Sequence, residues 1–316
     1  MSRKAAVVAL TALAPVSWGS TYYVTTEFLP PDRPLFTGLT RALPAGLLLL
    51  AYTRRLPRGA WWGKAAILGV LNIGAFFPLL FLAAYRLPGG LAAVVGSVGP
   101  LLVVGLAALF LGDRPTTRSL LTAIAAALGV SLVVLRASAA PDPLGVAAGL
   151  LAALSMSAGT VLTKRWGRPE GAGAAALTGW QLTAGGLVLL PVALVLEGAP
   201  PALDTDGLLG YAYLALGNTA VSYLLWFRGV ELLSASSVTL LGPLSPITAA
   251  VIGWVALGQS LGPVQLAGMA VAFGATLAGQ WTPRASRAPR AEASRTFRSD
   301  EHNARNISPD RKTASR

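Results

Sequence analysis

Apolar stretches alternate with short polar breaks along almost the whole chain. Ten can be read, at residues 5–27, 35–53, 63–85, 89–111, 118–135, 144–163, 172–196, 207–227, 234–257 and 262–281. Several are close to the roughly 20 residues that a helix needs to cross a bilayer. Helix-entry chemistry marks some of their starts: Asp142-Pro143 before the sixth, Asp206 before the eighth and Gly262-Pro263 at the tenth. The pattern predicts an all-α polytopic membrane protein with ten transmembrane helices. The opening MSRK and the apolar run after it read as an uncleaved first span, because further spans follow and no clean cleavage pattern is present. Residues 282–316, rich in Arg, Ser and Ala and without periodicity, read as a basic disordered tail.

Composition agrees with the pattern. The chain of 316 residues is 54% hydrophobic and 12% charged, with a mean hydropathy of +0.61; soluble domains carry about 25% charged residues. The net charge of +12 does not imply nucleic acid, since nine of the 25 Lys and Arg lie in the tail and most others sit in the polar breaks. With the N-terminus inside, the inner segments hold Arg3, Lys4, Arg54, Arg55, Arg58, Lys64, Arg114, Arg118, Lys164, Arg165, Arg168 and Arg228. The outer loops hold only Arg33, Arg86 and Arg136. This bias places both termini on the cytoplasmic side of an inner membrane. The chain has no cysteine, and its single histidine, His302, lies in the tail. Thiolate or histidine metal sites and His-based triads are therefore not expected in the membrane, nor is any cofactor.

The two halves repeat. Residues 96–114 read GSVGPLLVVGLAALFLGDR, and 146 positions later residues 242–260 read GPLSPITAAVIGWVALGQS. Gly96, Pro100, Leu111 and Gly112 fall on Gly242, Pro246, Leu257 and Gly258. The same offset pairs Asn72 with Asn218, Leu79 with Leu225, Phe81 with Phe227 and Leu87 with Leu233. Smaller offsets pair Thr21 with Thr160 and Gly46 with Gly186. The halves divide as 1–137 and 138–281. Five spans per copy is an odd number, so the second copy enters from the opposite side, giving two inverted five-helix repeats of the kind used by secondary transporters.

This layout resembles the EamA-like family of the drug/metabolite transporter superfamily. The resemblance covers residues 5–281 and rests on the repeats, on the fourth and ninth spans with their Pro and terminal Leu-Gly, on Trp18-Gly19 and on Arg41. It implies a central pocket lined by the first, third, fourth, sixth, eighth and ninth spans that carries small metabolites, often outward. The acid that follows Leu-Gly is Asp113 in the first copy but Gln259 in the second. The first span has no acid before Glu27, so the resemblance does not extend to the glutamate-based proton exchange of the small multidrug relatives.

The candidate substrate-binding residues come from both copies. Arg41 is an ionisable residue inside a span, where a charge costs on the order of 3 kcal/mol. It reads as an anchor for a carboxylate or phosphate, as a gate, or as a side chain that snorkels or pairs with Asp32. Gln181 is its neutral counterpart. Asn72 and Asn218 are matched polar groups, and their symmetric placement favours a cavity lining over interhelical glue. Trp18, Tyr22, Phe77, Tyr223 and Trp226 supply aromatic surface suited to an amphipathic organic molecule. Ser97, Pro100, Ser245 and Pro246 complete the set. Pro100 and Pro246 each stand four residues after a glycine, so each is expected to kink its span and free a carbonyl toward the pathway. Trp61 and Trp62 read as interface anchors, and Ala123/Ala127 with Gly268/Ala272 as close-packing stripes.

The spans offer no acid–base pair and no nucleophile beside a base, which argues against an enzyme. The reading that follows is a secondary transporter, exporting a small organic metabolite or amino-acid-like solute by alternating access. A membrane receptor, a structural protein or a non-transporting membrane enzyme is the alternative. The expected partners are the solute and the lipid bilayer, with no nucleic acid; a monomer is compatible with the sequence.

Overall fold

The computed structural model describes residues 3–31, 33–86, 95–134, 142–258 and 262–280. The tail at 282–316, the pairs built on Leu87 and Gln259, Asp32 and His302 lie outside the described residues, as does the side chain of Tyr22. Among the described residues every element is helical. In chain order they are α1 (Arg3–Gly19), α2 (Thr21–Phe28), α3 (Pro34–Thr53), α4 (Trp61–Gly69), α5 (Phe76–Arg86), α6 (Gly99–Leu111) and α7 (Thr117–Val134). They continue with α8 (Pro143–Trp166), α9 (Ala174–Leu196), α10 (Thr205–Ala215), α11 (Ser222–Leu232), α12 (Ala235–Thr239), α13 (Leu244–Leu257) and α14 (Pro263–Gln280). Among the described residues seven helical stretches are long and apolar enough to cross a membrane, and Gly99–Leu111 and Thr117–Leu132 are shorter apolar helices.

Several helix ends follow their sequence chemistry. Asp142 accepts from the N–H groups of Leu144 and Gly145 at the start of α8. The Leu144 N–H, opposed by desolvation and helped by Arg86, holds the Asp142 carboxyl below its ordinary value. At α10 the cap is Asp204, which accepts from Gly207 N–H, whereas Asp206 sits inside the first turn. The repeated Leu-Gly is a C-cap in both copies. Gly112 and Gly258 adopt φ of 71° and 64°, a left-handed conformation that costs a glycine nothing, and their N–H groups close α6 and α13.

Each repeated proline stands at an interruption of its helix. Residues 95–96 are helical, 97–98 form a tight turn in which Val98 stays right-handed and donates to the Val95 carbonyl, and α6 starts at Gly99 with Pro100 in its first turn. In the second copy α12 ends at Thr239, residues 240–243 form a turn, and α13 starts at Leu244 with Pro246 in its first turn. A proline in the first turn removes no intrahelical bond, because that N–H has no partner in the helix anyway. Both stretches are thus broken helices.

Two further interruptions are π turns, at Val70–Gly74 between α4 and α5 and at Leu216–Val221 between α10 and α11. Each contains one of the paired asparagines.

α3 and α9 pack at backbone contact. A Cβ added to Gly46 would lie 2.5 Å from the Thr183 nitrogen, and one added to Gly186 would lie 2.8 Å from Leu43 Cβ. Under a shift of 140 residues, 43 becomes 183 and 46 becomes 186, so the two contacts exchange. α7 and α14 meet in the same way: a Cβ added to Gly129 would lie 2.5 Å from the Ala272 nitrogen, with Ala123, Ala126 and Ala275 buried. The Glu197 carboxylate, at the end of α9, closes the α3–α9 pair by accepting the Leu35 and Phe36 N–H groups at the start of α3. Trp61 packs on Trp180 and under Lys64, while Trp62 is exposed.

Replacing Gly46 by Ala should destabilise the protein by about 1–3 kcal/mol, because the added methyl meets backbone that cannot move aside. A melting curve in detergent that is unchanged in this variant would contradict the packing.

Candidate functional site

The two interrupted helices and α8 border a partly open cavity of about 270 Å³. Its wall takes Trp18 from α1, Phe76 and Leu80 from α5, and Gly96, Ser97, Gly99 and Pro100 from the first break. Val130 of α7 and Trp226 of α11 add to it, as do Thr239, Gly242, Pro243, Ser245 and Pro246 around the second break. Along α8, Gly149, Ala152, Ala153, Met156, Ser157 and Thr160 form one continuous stripe. Their spacing of three and four residues puts them on a single helix face.

Of the sequence candidates, Trp18, Ser97, Pro100, Trp226, Ser245 and Pro246 line this cavity. The α8 stripe was missed. Its signal was a run of small side chains at helical spacing, which reads as close packing when nothing says that the facing helices are broken.

Arg41, Asn72, Gln181 and Asn218 form a buried polar layer. Arg41, 5% exposed, donates from Nη2 to Asn218 Oδ1 at 2.6 Å and from Nε to Thr219 Oγ1 at 3.2 Å, with its guanidinium 5.3 Å from the centre of the Phe77 ring. It neither snorkels outward nor lines the cavity. Asn72 Nδ2 donates to Gln181 Oε1 at 2.7 Å. Asn72 and Asn218 are both fully buried and are not among the residues that line this cavity: each amide meets a polar side chain of the facing helix. Phe77 lies under Arg41 and Tyr223 packs on Trp18 at 5.0 Å, and neither ring is among the residues that line the cavity.

These contacts are reciprocal. A shift of 146 takes Asn72 to Asn218, and a shift of 140 takes Arg41 to Gln181, so Asn72–Gln181 and Asn218–Arg41 are the same contact made twice. Each π turn is also tied down by a neighbouring helix. Trp18 Nε1 donates to the Asn218 carbonyl at 3.0 Å, and Ser155 Oγ donates to the Leu71 carbonyl at 2.7 Å. Asn218 also donates from Nδ2 to the Ser17 carbonyl and accepts from Thr21 Oγ1. Trp18 thus touches the cavity on one side and the π turn on the other, with the Trp226 ring centre 5.2 Å from its own.

Apolar helices with buried polar ties define a multi-pass membrane protein. The model of the EamA-like transporter family matches it twice, over residues 5–135 and 143–278. The chain belongs to that family, within the drug/metabolite transporter superfamily. It is a membrane transporter by family, and the match points away from an enzyme. It is 45% identical over 264 residues to protein PecM of Dickeya dadantii, covering 84% of this chain and 89% of that protein. It is 27% identical to the inner membrane transporter YedA of Escherichia coli K12, covering 79% and 82%. It is 28% identical to a probable terminal-alkyne amino-acid exporter of Streptantibioticus cattleyicolor, covering 69% and 72%. A solved crystal structure shares the fold, with a TM-score of 0.73 at 18% identity over 87% of this chain and 96% of that one.

A double-mutant cycle should separate the two reciprocal contacts. Interhelical hydrogen bonds in membrane proteins couple by about 0.6 kcal/mol on average and reach about 1.7. Arg41→Leu with Asn218→Leu should fall near the upper figure, because one partner is charged, and Asn72→Leu with Gln181→Leu near the lower. Equal coupling energies from unfolding in detergent would contradict this ranking.

Proposed function

We propose that this protein is a secondary transporter that moves a small organic solute across the cytoplasmic membrane by alternating access. Its architecture is read as ten transmembrane helices in two inverted five-helix repeats, with the cavity as the binding site between them. The observation that carries this reading is the doubled contact Asn72–Gln181 and Asn218–Arg41. One contact made twice under a residue shift is the mark of a two-fold relation, in which patch i meets j and j meets i. The two family matches, one on each half, support the same division.

In an inverted repeat the two halves exchange conformations, so whatever opens one side of the cavity has a mirror device for the other. The broken helices at Pro100 and Pro246 and the π turns at Asn72 and Asn218 are four matched interruptions around one site. Interrupted helices at membrane depth are tolerated where they line a cavity or are buried in protein. The outward direction takes its support from the relative named as an exporter. The inner-membrane location takes its support from the relative named as an inner membrane transporter. The cytoplasmic placement of both termini follows from the basic inner segments.

Proteoliposomes loaded with a cell metabolite extract provide the test. Wild-type protein should deplete a subset of solutes, and Ala153→Trp, which fills the cavity, should stop that depletion while the protein still inserts and melts cooperatively. Identical efflux from both would sink the cavity as the route, and no efflux from wild-type vesicles would sink transport itself.

A further inference from the structure

The cavity wall is uncharged. Among the described residues none of its side chains is ionisable. The nearby cation, Arg41, is turned away from it into Asn218 and Thr219. A carboxylate or ammonium entering the cavity would lose its hydration without gaining a counter-charge, which costs several kcal/mol.

The wall is also ringed by apolar rings. Trp18 and Trp226 meet at an interplanar angle of 55° and form a corner, which Phe76 and the Met156 thioether extend. A flat ring in such a corner gains tilted aromatic contacts on two sides.

Finally, Trp226 carries an unpaired donor just beneath the wall. Three other donors of the wall are engaged by backbone: Trp18 Nε1 with the Asn218 carbonyl, Ser157 Oγ with the Gly99 carbonyl and Thr239 Oγ1 with the Ala235 carbonyl. Trp226, 3% exposed, keeps an indole N–H with no hydrogen-bond partner among the described residues. A buried N–H left unpaired is unfavourable, and an acceptor on the cargo removes that cost.

We propose that the cavity selects an uncharged, ring-bearing solute with a carbonyl or similar acceptor that meets Trp226, and that it rejects carboxylates and zwitterions, free amino acids included. This rests on the cavity being the transport site. It also revises the expectation of an amino-acid-like cargo anchored on Arg41.

Matched probes with one ring test it: indole, indole-3-acetamide, indole-3-acetate and tryptophan, in equilibrium dialysis against the full chain in detergent, with protein-free micelles as the partition blank. Saturable binding of the acetamide should be at least about tenfold tighter than that of the acetate or tryptophan, as expected for an uncompensated buried charge. Trp226→Phe keeps the ring and removes the donor. It should weaken the acetamide by about three- to tenfold and leave indole, which lacks the acceptor, within a factor of about two. Acetate or tryptophan binding as tightly as the acetamide would overturn the proposal. Equal loss of indole and acetamide in Trp226→Phe would overturn the donor role. Should that variant not fold, the wild-type ranking alone decides the charge rule. Proteoliposome flux keeps the two readings apart. Cavity-dependent efflux confined to charged solutes overturns the cargo class and leaves transport standing. Acetamide binding with no efflux of any solute overturns transport and leaves the selectivity of the cavity standing.

Discussion

The hydrocarbon core of a bilayer offers no hydrogen bonds, so every break in a helical ladder has to be closed by a neighbouring helix. The rest of this structure depends on that constraint. The π turn at 216–221 exposes the Asn218 carbonyl, and the Trp18 indole closes it; the turn at 70–74 exposes the Leu71 carbonyl, and the Ser155 hydroxyl closes it. Each closure fixes the position of a helix, α1 against α11 and α8 against α5. Each also places a wall of the cavity. Satisfying the backbone and building the site are therefore one act of packing.

The same constraint explains why Arg41 is tolerated. A guanidinium inside a bundle needs acceptors that do not move, and Asn218 and Thr219 are held by a π turn that is itself held by Trp18 and Ser17. The face of Phe77 covers the remaining side of the cation. Arg41 thereby joins α3 to the α10–α11 unit, next to the seam where Gly46 and Gly186 let α3 and α9 meet at backbone distance. Its mate across the seam, Gln181, makes the same contact without charge. This difference in charge lies in the polar layer, and neither Arg41 nor Gln181 lines the cavity.

The breaks at Pro100 and Pro246 show a third use of the constraint. A helix that restarts mid-membrane needs a first turn that lacks few bonds, and a proline there loses nothing that the helix could have made. The glycines of the repeated Leu-Gly end these helices in a left-handed turn that fixes where the chain leaves the apolar layer. The repeated motif is thus a start signal and a stop signal for one short helix, written once in each half.

Hydropathy, charge and the repeated letters were enough to read the helices, the family resemblance and the pairing of Asn72 with Asn218, because these depend on local composition and on spacing within the chain. The cap at Asp204 in place of Asp206, the helix restart at Gly99 and the two π turns were not legible, since each turns on a few dihedral angles that a hydrophobic run leaves open. Nor could the sequence say which candidates share a wall. Trp18, Ser97, Pro100, Trp226, Ser245 and Pro246 face one cavity, whereas Arg41, Asn72, Gln181 and Asn218 pair with one another. That sorting depends on partners more than a hundred residues away, and only tertiary packing decides which of two polar groups finds the other and which is left facing open space.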